Sequence, residues 1–419
     1  MPLISFDGLS VPLEEVQDNP ARFATRLERA KKNPGYAVCG CRPSPDATPL
    51  RLVVRRYGAL FHLARWPDDG YRHDRDSCSF FAEPGPAEES PGRAHDAIRN
   101  TPAGLNAKLD VSLSVRTVAT VRRSGLTGTS GATRRSAPLL GFLQRIWMDA
   151  GLNQWAGGAQ RNWGTCNAQI VALLGDGKMN GKPIQDVLHV MRRYEEAAQA
   201  TLKAEFEAFL GRIQTKPDLS ERGIVIAEIK SVEPSKYGFI IKIRQTFESF
   251  FASRQLVDAA ANSFRHAWPM IGNPDARVVA VLVLERTKDK YLRVIDLAAQ
   301  LCNNSFIPCD SGYEVAMANR LVDERRRFVK PMRLDDGDVM LPDFRLTDTA
   351  PESAIEVYGM ESNDAYRARK AQKQALYAQR RLPCVEWIPP APLSAVVLPA
   401  ALYIASSSDT FVRDRQQPF

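Results

Sequence analysis

Two carboxylates thirteen residues apart are placed to do chemistry together: Asp343 in Leu341-Pro342-Asp343-Phe344, and Glu356 in Ile355-Glu356-Val357-Tyr358-Gly359. The first follows a short apolar run (Val339, Met340, Leu341), and the second lies inside another (Ala354, Ile355, Val357). Both runs read as strands, and Asp348-Thr349-Ala350-Pro351 between them reads as a turn. Adjacent antiparallel strands of this kind can set Asp343 and Glu356 side by side at a sheet edge. Converging carboxylates make a hard oxygen site suited to Mg²⁺ or Mn²⁺. Such a metal orients a phosphodiester, activates a water and stabilises the leaving oxygen. The plainer reading is a hairpin carrying two exposed acids.

A second set is softer. Cys39-Gly40-Cys41 is followed by His73 and Cys78. Between them Leu50–Arg56 and Ala59–Ala64 read as strands, with Tyr57-Gly58 as their turn. Three cysteines and a histidine are a usual closed, structural Zn²⁺ set. The Cys-x-Cys spacing departs from the commoner Cys-x₂-Cys, and four half-buried residues in a reduced module are the alternative. A bound zinc would hold the module together, because four protein ligands leave no open coordination position.

Other elements frame these groups. Tyr313 to Leu321 has helical apolar spacing, and Tyr366, Arg369, Lys370, Lys373 and Tyr377 share one face of a later helix. Val385-Glu386-Trp387-Ile388 reads as a strand. Leu139–Trp147 is helical, and Trp147, Trp155 and Trp163 fit a helical core better than a base-stacking surface. Asp186 to Phe209 reads as one amphipathic helix. Ile224–Lys230 and Tyr237–Ile243 read as a hairpin, a candidate wing for a winged-helix-like module. Phe250 to Trp268 reads as a helix. Arg277–Leu284 is apolar enough for a buried strand, with Tyr291–Ile295 returning beside it, in the same sheet as Asp343 and Glu356. His189 and His266 read as packing or surface residues. Arg122 to Arg135 is a basic, glycine-rich loop that either tracks a phosphate backbone or is simply solvated. It lacks the Gly-Lys-Ser/Thr ending of a nucleotide-binding loop.

The C-terminal segment resembles the PD-(D/E)xK nuclease superfamily, whose core runs helix, three strands, helix, strand. The resemblance covers about residues 305–390. It implies metal-dependent phosphodiester hydrolysis, with Asp343 and Glu356 as metal ligands and Glu314 as the additional acid of the first helix. The family lysine would fall at Tyr358, so Lys370 or Lys373 is expected to supply the ammonium from the next helix. Arg325, Arg326, Arg327 and Lys330 would then attract the nucleic-acid backbone. Pro217-Asp218 with Glu228-Ile229-Lys230 satisfies the same pattern, lysine included, but no apolar strand precedes Asp218. The order of the Cys-x-Cys start, tryptophan-rich centre and C-terminal Pro-Asp…Glu-Val-x-Gly-Met also resembles an uncharacterised bacterial family encoded largely on plasmids and integrative elements.

Composition sets the frame. The chain has 419 residues, 44% apolar and 25% charged, which is ordinary for globular proteins. Its formal net charge of +8 suits an anionic partner such as nucleic acid, though a surplus of this size is also common on soluble proteins. Seven cysteines, an odd number, argue against a disulfide framework. The longest apolar run, Val396 to Ala405, contains Pro399 and is too short to span a bilayer. The start of the chain lacks a signal-peptide layout, so a cytoplasmic protein with no membrane partner is expected.

The expected fold is mixed, multi-domain α/β. Residues 1–82 form a Cys/His β-module, and 83–137 a linker with the basic loop. Residues 138–223 form a helical region, and 224–304 a hairpin and buried-strand region. Residues 305–392 form the restriction-endonuclease-like core, and 393–419 a tail. The expected function is metal-dependent hydrolysis of nucleic acid, with DNA as first choice. The alternative is a non-catalytic DNA-binding or assembly protein that keeps a degenerate nuclease fold.

Overall fold

The computed structural model describes residues 2–42, 48–58, 60–66, 69–75, 78–81, 97–101, 103–116, 138–158, 160–213, 215–216, 219–332, 341–359 and 364–402. The basic loop at 122–135, Asp218, Val339 and Met340 lie outside these residues.

The N-terminal module opens with strands β1 (Leu3–Phe6) and β2 (Leu9–Pro12). Asp7 and Gly8 join them, both at positive φ, as a two-residue hairpin turn requires. Helices α1 (Leu13–Asp18) and α2 (Pro20–Lys32) follow. In α2, Pro20 starts the helix, while Phe23, Leu27 and Ala30 line one buried face. Strands β3 (Tyr36–Cys39), β4 (Arg51–Tyr57) and β5 (Leu60–Arg65) complete an antiparallel sheet in the order β2-β1-β3-β4-β5. The expected hairpin of β4 and β5 is present, pairing Tyr57 with Leu60. Buried Arg55 on β4 donates to the carbonyls of Ala172, Leu173 and Thr101, and so ties the module to the centre of the chain.

The centre is less purely helical than its sequence suggests. Strands β6 (Ile98–Asn100), β7 (Leu105–Ala107) and β8 (Ser114–Arg116) precede helix α3 (Leu139–Asp149). Strand β9 (Gln154–Ala156) and helix α4 (Trp163–Leu174) come next, then β10 (Lys178–Met179) and β11 (Lys182–Pro183). A small sheet runs β11-β10-β7-β6, so the stretch beginning at Ile98 is structured rather than linker. The single helix expected from Asp186 to Phe209 is broken. Helix α5 (Ile184–Val187) ends at strand β12 (Leu188–Val190), and α6 begins later (Gln199–Leu210). Leu188, His189 and Val190 are captured by a neighbouring strand, and this tertiary pairing overrides local helical periodicity. Trp147, Trp155 and Trp163 are all buried, as expected.

The next strands close on themselves. They are β13 (Thr215–Lys216), the 17-residue β14 (Leu219–Ser235), β15 (Gly238–Ile243) and β16 (Phe250–Ala252). Helix α7 (Arg254–Ser263) separates β16 from β17 (Ala276–Arg286) and β18 (Leu292–Asn303). The second half of β14 pairs β15, and its first half pairs β17. With β15 on β16, β16 on β18 and β18 on β17, the ring is complete. The 224–243 hairpin is therefore barrel wall, not the wing of a helical module. Residues 250–252, expected as helix, are strand. Ile229, Ile241, Phe250, Leu282 and Val294 fill the interior. Each such side chain contributes roughly 1.5–3 kcal/mol on burial. Ile224, Ile226, Val279 and Val281 point outward into a second core shared with α3 and α4.

The last part contains helix α8 (Gly312–Asp323) and strands β19 (Arg327–Val329), β20 (Phe344–Leu346) and β21 (Ser353–Val357). Helix α9 (Asp364–Gln379) and strand β22 (Cys384–Trp387) follow. The sheet runs β22-β21-β20-β19-β9 and is separate from the barrel, so β17 and β18 do not share a sheet with Asp343 and Glu356 as expected. Its outer strand β9 comes from the centre of the chain. No helix among the described residues is long and apolar enough to cross a membrane.

Candidate functional site

The carboxylate pair is brought together. Phe344 of β20 lies opposite Ile355 of β21, so Asp343, one step earlier, faces Glu356. Asp343 Oδ2 accepts the amide proton of Val357 at 2.7 Å, which fixes its side chain across the strands. Glu356 is 1% exposed. Helix α9 supplies its cation: Lys373 Nζ lies 2.9 and 2.7 Å from the two Glu356 oxygens and 3.0 Å from the Leu341 carbonyl. Tyr377 Oη, one turn further along, donates to the same carboxylate. Lys370 Nζ sits 4.4 Å from the centre of the Tyr358 ring.

A third acid faces them from α8. Ser311 caps this helix by accepting from the Glu314 amide, and the Glu314 carboxylate accepts from the Asp310 amide. Lys330, just after β19, reaches Glu314 at 2.6 Å and Asp310 at 2.8 Å. An open cleft of about 970 Å³ is lined by Glu314, Lys330, Asp343, Glu356, Lys370 and Lys373. Asp310 also belongs to it, and sequence reading misses it; its only signal is its place beside the Ser311 cap.

Burial pushes the Glu356 carboxyl up, the Asp343 charge pushes it further, and Lys373 and Tyr377 pull it back. Burial works against the Lys330 ammonium, yet Glu314, Asp310 and Asp343 hold it well above the usual lysine value. Burial pushes Glu314 up to about 7, with Asp343 and Asp310 adding to the effect and Lys330 opposing it. Between the ordinary value of 4.5 and about 7, folded protein keeps a proton that the unfolded chain has lost. This stabilisation is complete below 4.5 and disappears as pH rises through about 7. Glu314→Gln abolishes the dependence, so its thermal midpoint relative to wild type is expected to rise between about pH 5 and about pH 8. An offset that stays constant over that range would disprove the assignment.

The arginine cluster differs from expectation. Arg326 is 5% exposed, and its guanidinium grips the Asp348 carboxylate through two bonds of 2.9 and 2.8 Å. Lys330 is 4% exposed and neutralises acids inside the cleft. Neither is a surface charge that tracks a phosphate backbone. Arg325 is exposed and Arg327 half-buried, and neither is among the described residues lining the cleft. Arg326→Ala strands a buried carboxylate and is expected to cost about 3–5 kcal/mol in denaturant unfolding. Arg325→Ala is expected to stay within about 0.5 kcal/mol of wild type.

The competing acid, Glu228, lies in the barrel wall. It is paired with Arg244 at 2.6 Å and Arg277 at 3.7 Å, and Lys230 beyond it is exposed. His189 stacks on Phe209 and packs tilted against Phe206, a packing role, while exposed His266 lies on the rim of the cleft.

The four soft ligands converge at the N-terminal module. Their ligand atoms all lie within 4.8 Å of one another. Cys39 Sγ is 3.7 Å from Cys78 Sγ, and His73 Nδ1 is 3.6 Å from Cys41 Sγ and 3.5 Å from Cys78 Sγ. Tetrahedral zinc bonds of about 2.3 Å to sulfur and about 2.0–2.1 Å to nitrogen require separations of about 3.8 and about 3.6 Å. The donor set therefore fits, and the cluster could bind a metal such as zinc. The Asp74 amide donates to Cys41 Sγ at 3.3 Å and favours its thiolate. Hydrogen bonding with Cys39 holds the Cys41 thiol far below its ordinary value, while Cys39 itself is pushed up to about 12.

Soft ligands at one end and a carboxylate cleft near the other belong to a mixed α/β protein with a candidate metal centre in the Cys/His cluster. The chain matches the family model described as "Protein of unknown function (DUF1173)" over residues 11–389, and it belongs to that family. No curated protein and no solved structure matches it.

Proposed function

We propose that the cleft hydrolyses nucleic-acid phosphodiesters with a divalent metal, DNA being the first substrate to try, in the mobile-element setting that the order of motifs implies. One observation carries this reading: Lys373 of α9 bonds the Glu356 carboxylate opposite Asp343, and so brings an ammonium to a site whose strand offers only Tyr358. The element order from α8 through β22 (helix, three strands, helix, strand) supports a PD-(D/E)xK-like core.

Asp343 and Glu356 are the oxygen ligands for Mg²⁺ or Mn²⁺, with Glu314 beside them. Burial raises Glu356 and Glu314, the Asp343 charge adds to the effect, and a dication would relieve the second of these causes. A metal bound there supplies Lewis acidity and a more acidic water. Lys373 is placed to balance charge on the phosphate as water attacks phosphorus and the ester P–O bond breaks. Glu314 titrates near neutrality and can exchange a proton with water in the cleft. Cleavage of plasmid and single-stranded DNA with Mg²⁺ or Mn²⁺ tests the reading; wild type inert with both metals on both substrates overturns it.

The second reading, a binding or assembly protein, draws on the same bonds. Lys373 and Tyr377 already engage the Glu356 oxygens and leave the acid neutralised without a metal. DNA bound without cleavage is its expected signature. At the N-terminus, we assign zinc to Cys39, Cys41, His73 and Cys78 as a structural metal.

A further inference from the structure

The barrel carries a second surface, independent of the carboxylate cleft. Counted along the chain, β14 to β18 are its strands one to five. They close in the order one-two-three-five-four-one, with strands three and five parallel. Helix α7 lies between strands three and four. This is the connectivity of oligonucleotide/oligosaccharide-binding barrels. Those barrels present the outer face of strands two and three, and the one–two and four–five loops, to their ligands.

Connectivity alone assigns nothing, and the side chains decide. Most of the outer wall of β14 and β17 is covered by the core shared with α3 and α4. The outer face of β15 and β16 is left half-open. Ile240 of β15 lies beside Phe251 of β16, and Phe251 beside exposed Arg293 of β18. Two large aromatics stand in the flanking loops: Tyr237, 86% exposed in the one–two loop, and Tyr291, 58% exposed in the four–five loop. The Tyr291 ring meets Phe251 edge-on at 5.5 Å, so loop and sheet form one aromatic surface. Ammonium groups accompany them. Lys236 lies 5.1 Å from the Tyr237 ring, and Lys288 and Lys290 are exposed next to Tyr291.

Solvent-exposed rings of this size contribute little to folding. Their open faces are suited to stacking, and the neighbouring lysines favour a ligand that is also anionic. Bases with a phosphate backbone meet both demands. A neutral sugar would stack on the rings but leave the lysines unused. Paired bases in a duplex hide the faces that the rings need.

We propose that this face of the barrel, centred on Tyr237, Phe251 and Tyr291, binds single-stranded nucleic acid. Fluorescence anisotropy of a labelled oligothymidylate with the full chain tests this. No divalent metal is added, so the result does not depend on cleavage by the carboxylate site. Tyr237→Ala and Tyr291→Ala are each expected to weaken binding about fivefold or more. Lys288→Ala with Lys290→Ala is expected to weaken it and to flatten its salt dependence. All four residues are exposed, and unchanged near-UV circular dichroism and thermal midpoints confirm that the variants stay folded. The proposal is overturned if wild type does not bind the oligonucleotide, or if the double tyrosine variant binds it as wild type does. Duplex bound more tightly than single strand, or displacement by a neutral oligosaccharide, overturns it as well.

Discussion

Asp343→Ala and Glu356→Ala are each expected to reduce metal-dependent DNA cleavage by at least about 10²–10³-fold, the scale on which enzymes lose rate when one preorganised electrostatic partner is removed. Each substitution takes away one of the two facing oxygen ligands, and the one that remains holds a dication poorly. Lys373→Ala is expected to fall by about 10²-fold, because its ammonium is the one that reaches the Glu356 carboxylate. Lys370→Ala is expected to lose less, since Lys370 lies over the Tyr358 ring. Glu356→Ala also leaves Lys373 without its main acid, so Glu356→Gln and thermal unfolding separate lost chemistry from lost fold. Cleavage that survives in both carboxylate variants would place the chemistry elsewhere in the chain.

Purified protein is expected to contain about one equivalent of zinc, and Cys78→Ser is expected to lose it and unfold the N-terminal module. The size of the effect follows from the energies involved. Structural zinc contributes an apparent 10–16 kcal/mol in small domains at neutral pH, roughly the whole stability of an ordinary protein. Here the metal would clamp the end of β3 to the segment after β5, and Cys39 and Cys78 are otherwise buried thiols packed on the sheet. Metal analysis with hydrogen exchange over residues 2–81 reads both outcomes. Zinc far below one equivalent, with folding unchanged by Cys78→Ser, would mean that the cluster is only a packed group of thiols.

How far these sites are legible depends on whether local pattern or long-range pairing fixes them. Asp343 and Glu356 sit beside apolar runs around one turn, and their register follows from the hairpin between them. Lys370, Lys373 and Tyr377 share a helix face by spacing alone. The four soft ligands are legible because few other chemistries use that set. Arg326 is different: three consecutive arginines look like a surface patch, and only the buried Asp348 carboxylate turns one of them inward. Glu314 carries two meanings at once, as an acid of the cleft and as the partner of a helix start, since Ser311 and Glu314 have capping-box spacing. The barrel is hidden for another reason. Its closing contact joins β14 to β17 across α7, and β14 serves different neighbours with its two halves. No local periodicity encodes that division.

The pairing of β9 with β19 governs how the cleft can come into being. Gln154, Trp155 and Ala156 form the outer strand of a sheet whose other strands begin at Arg327. During synthesis that strand emerges long before its partners, and it must wait while the whole barrel is made. The carboxylate site is therefore assembled late, by a contact of high sequence separation, the kind that slows folding. It is also not a portable cassette. A fragment beginning near residue 305 would carry both carboxylates and their lysine, but with β19 bare along one edge, an invitation to pair with another copy.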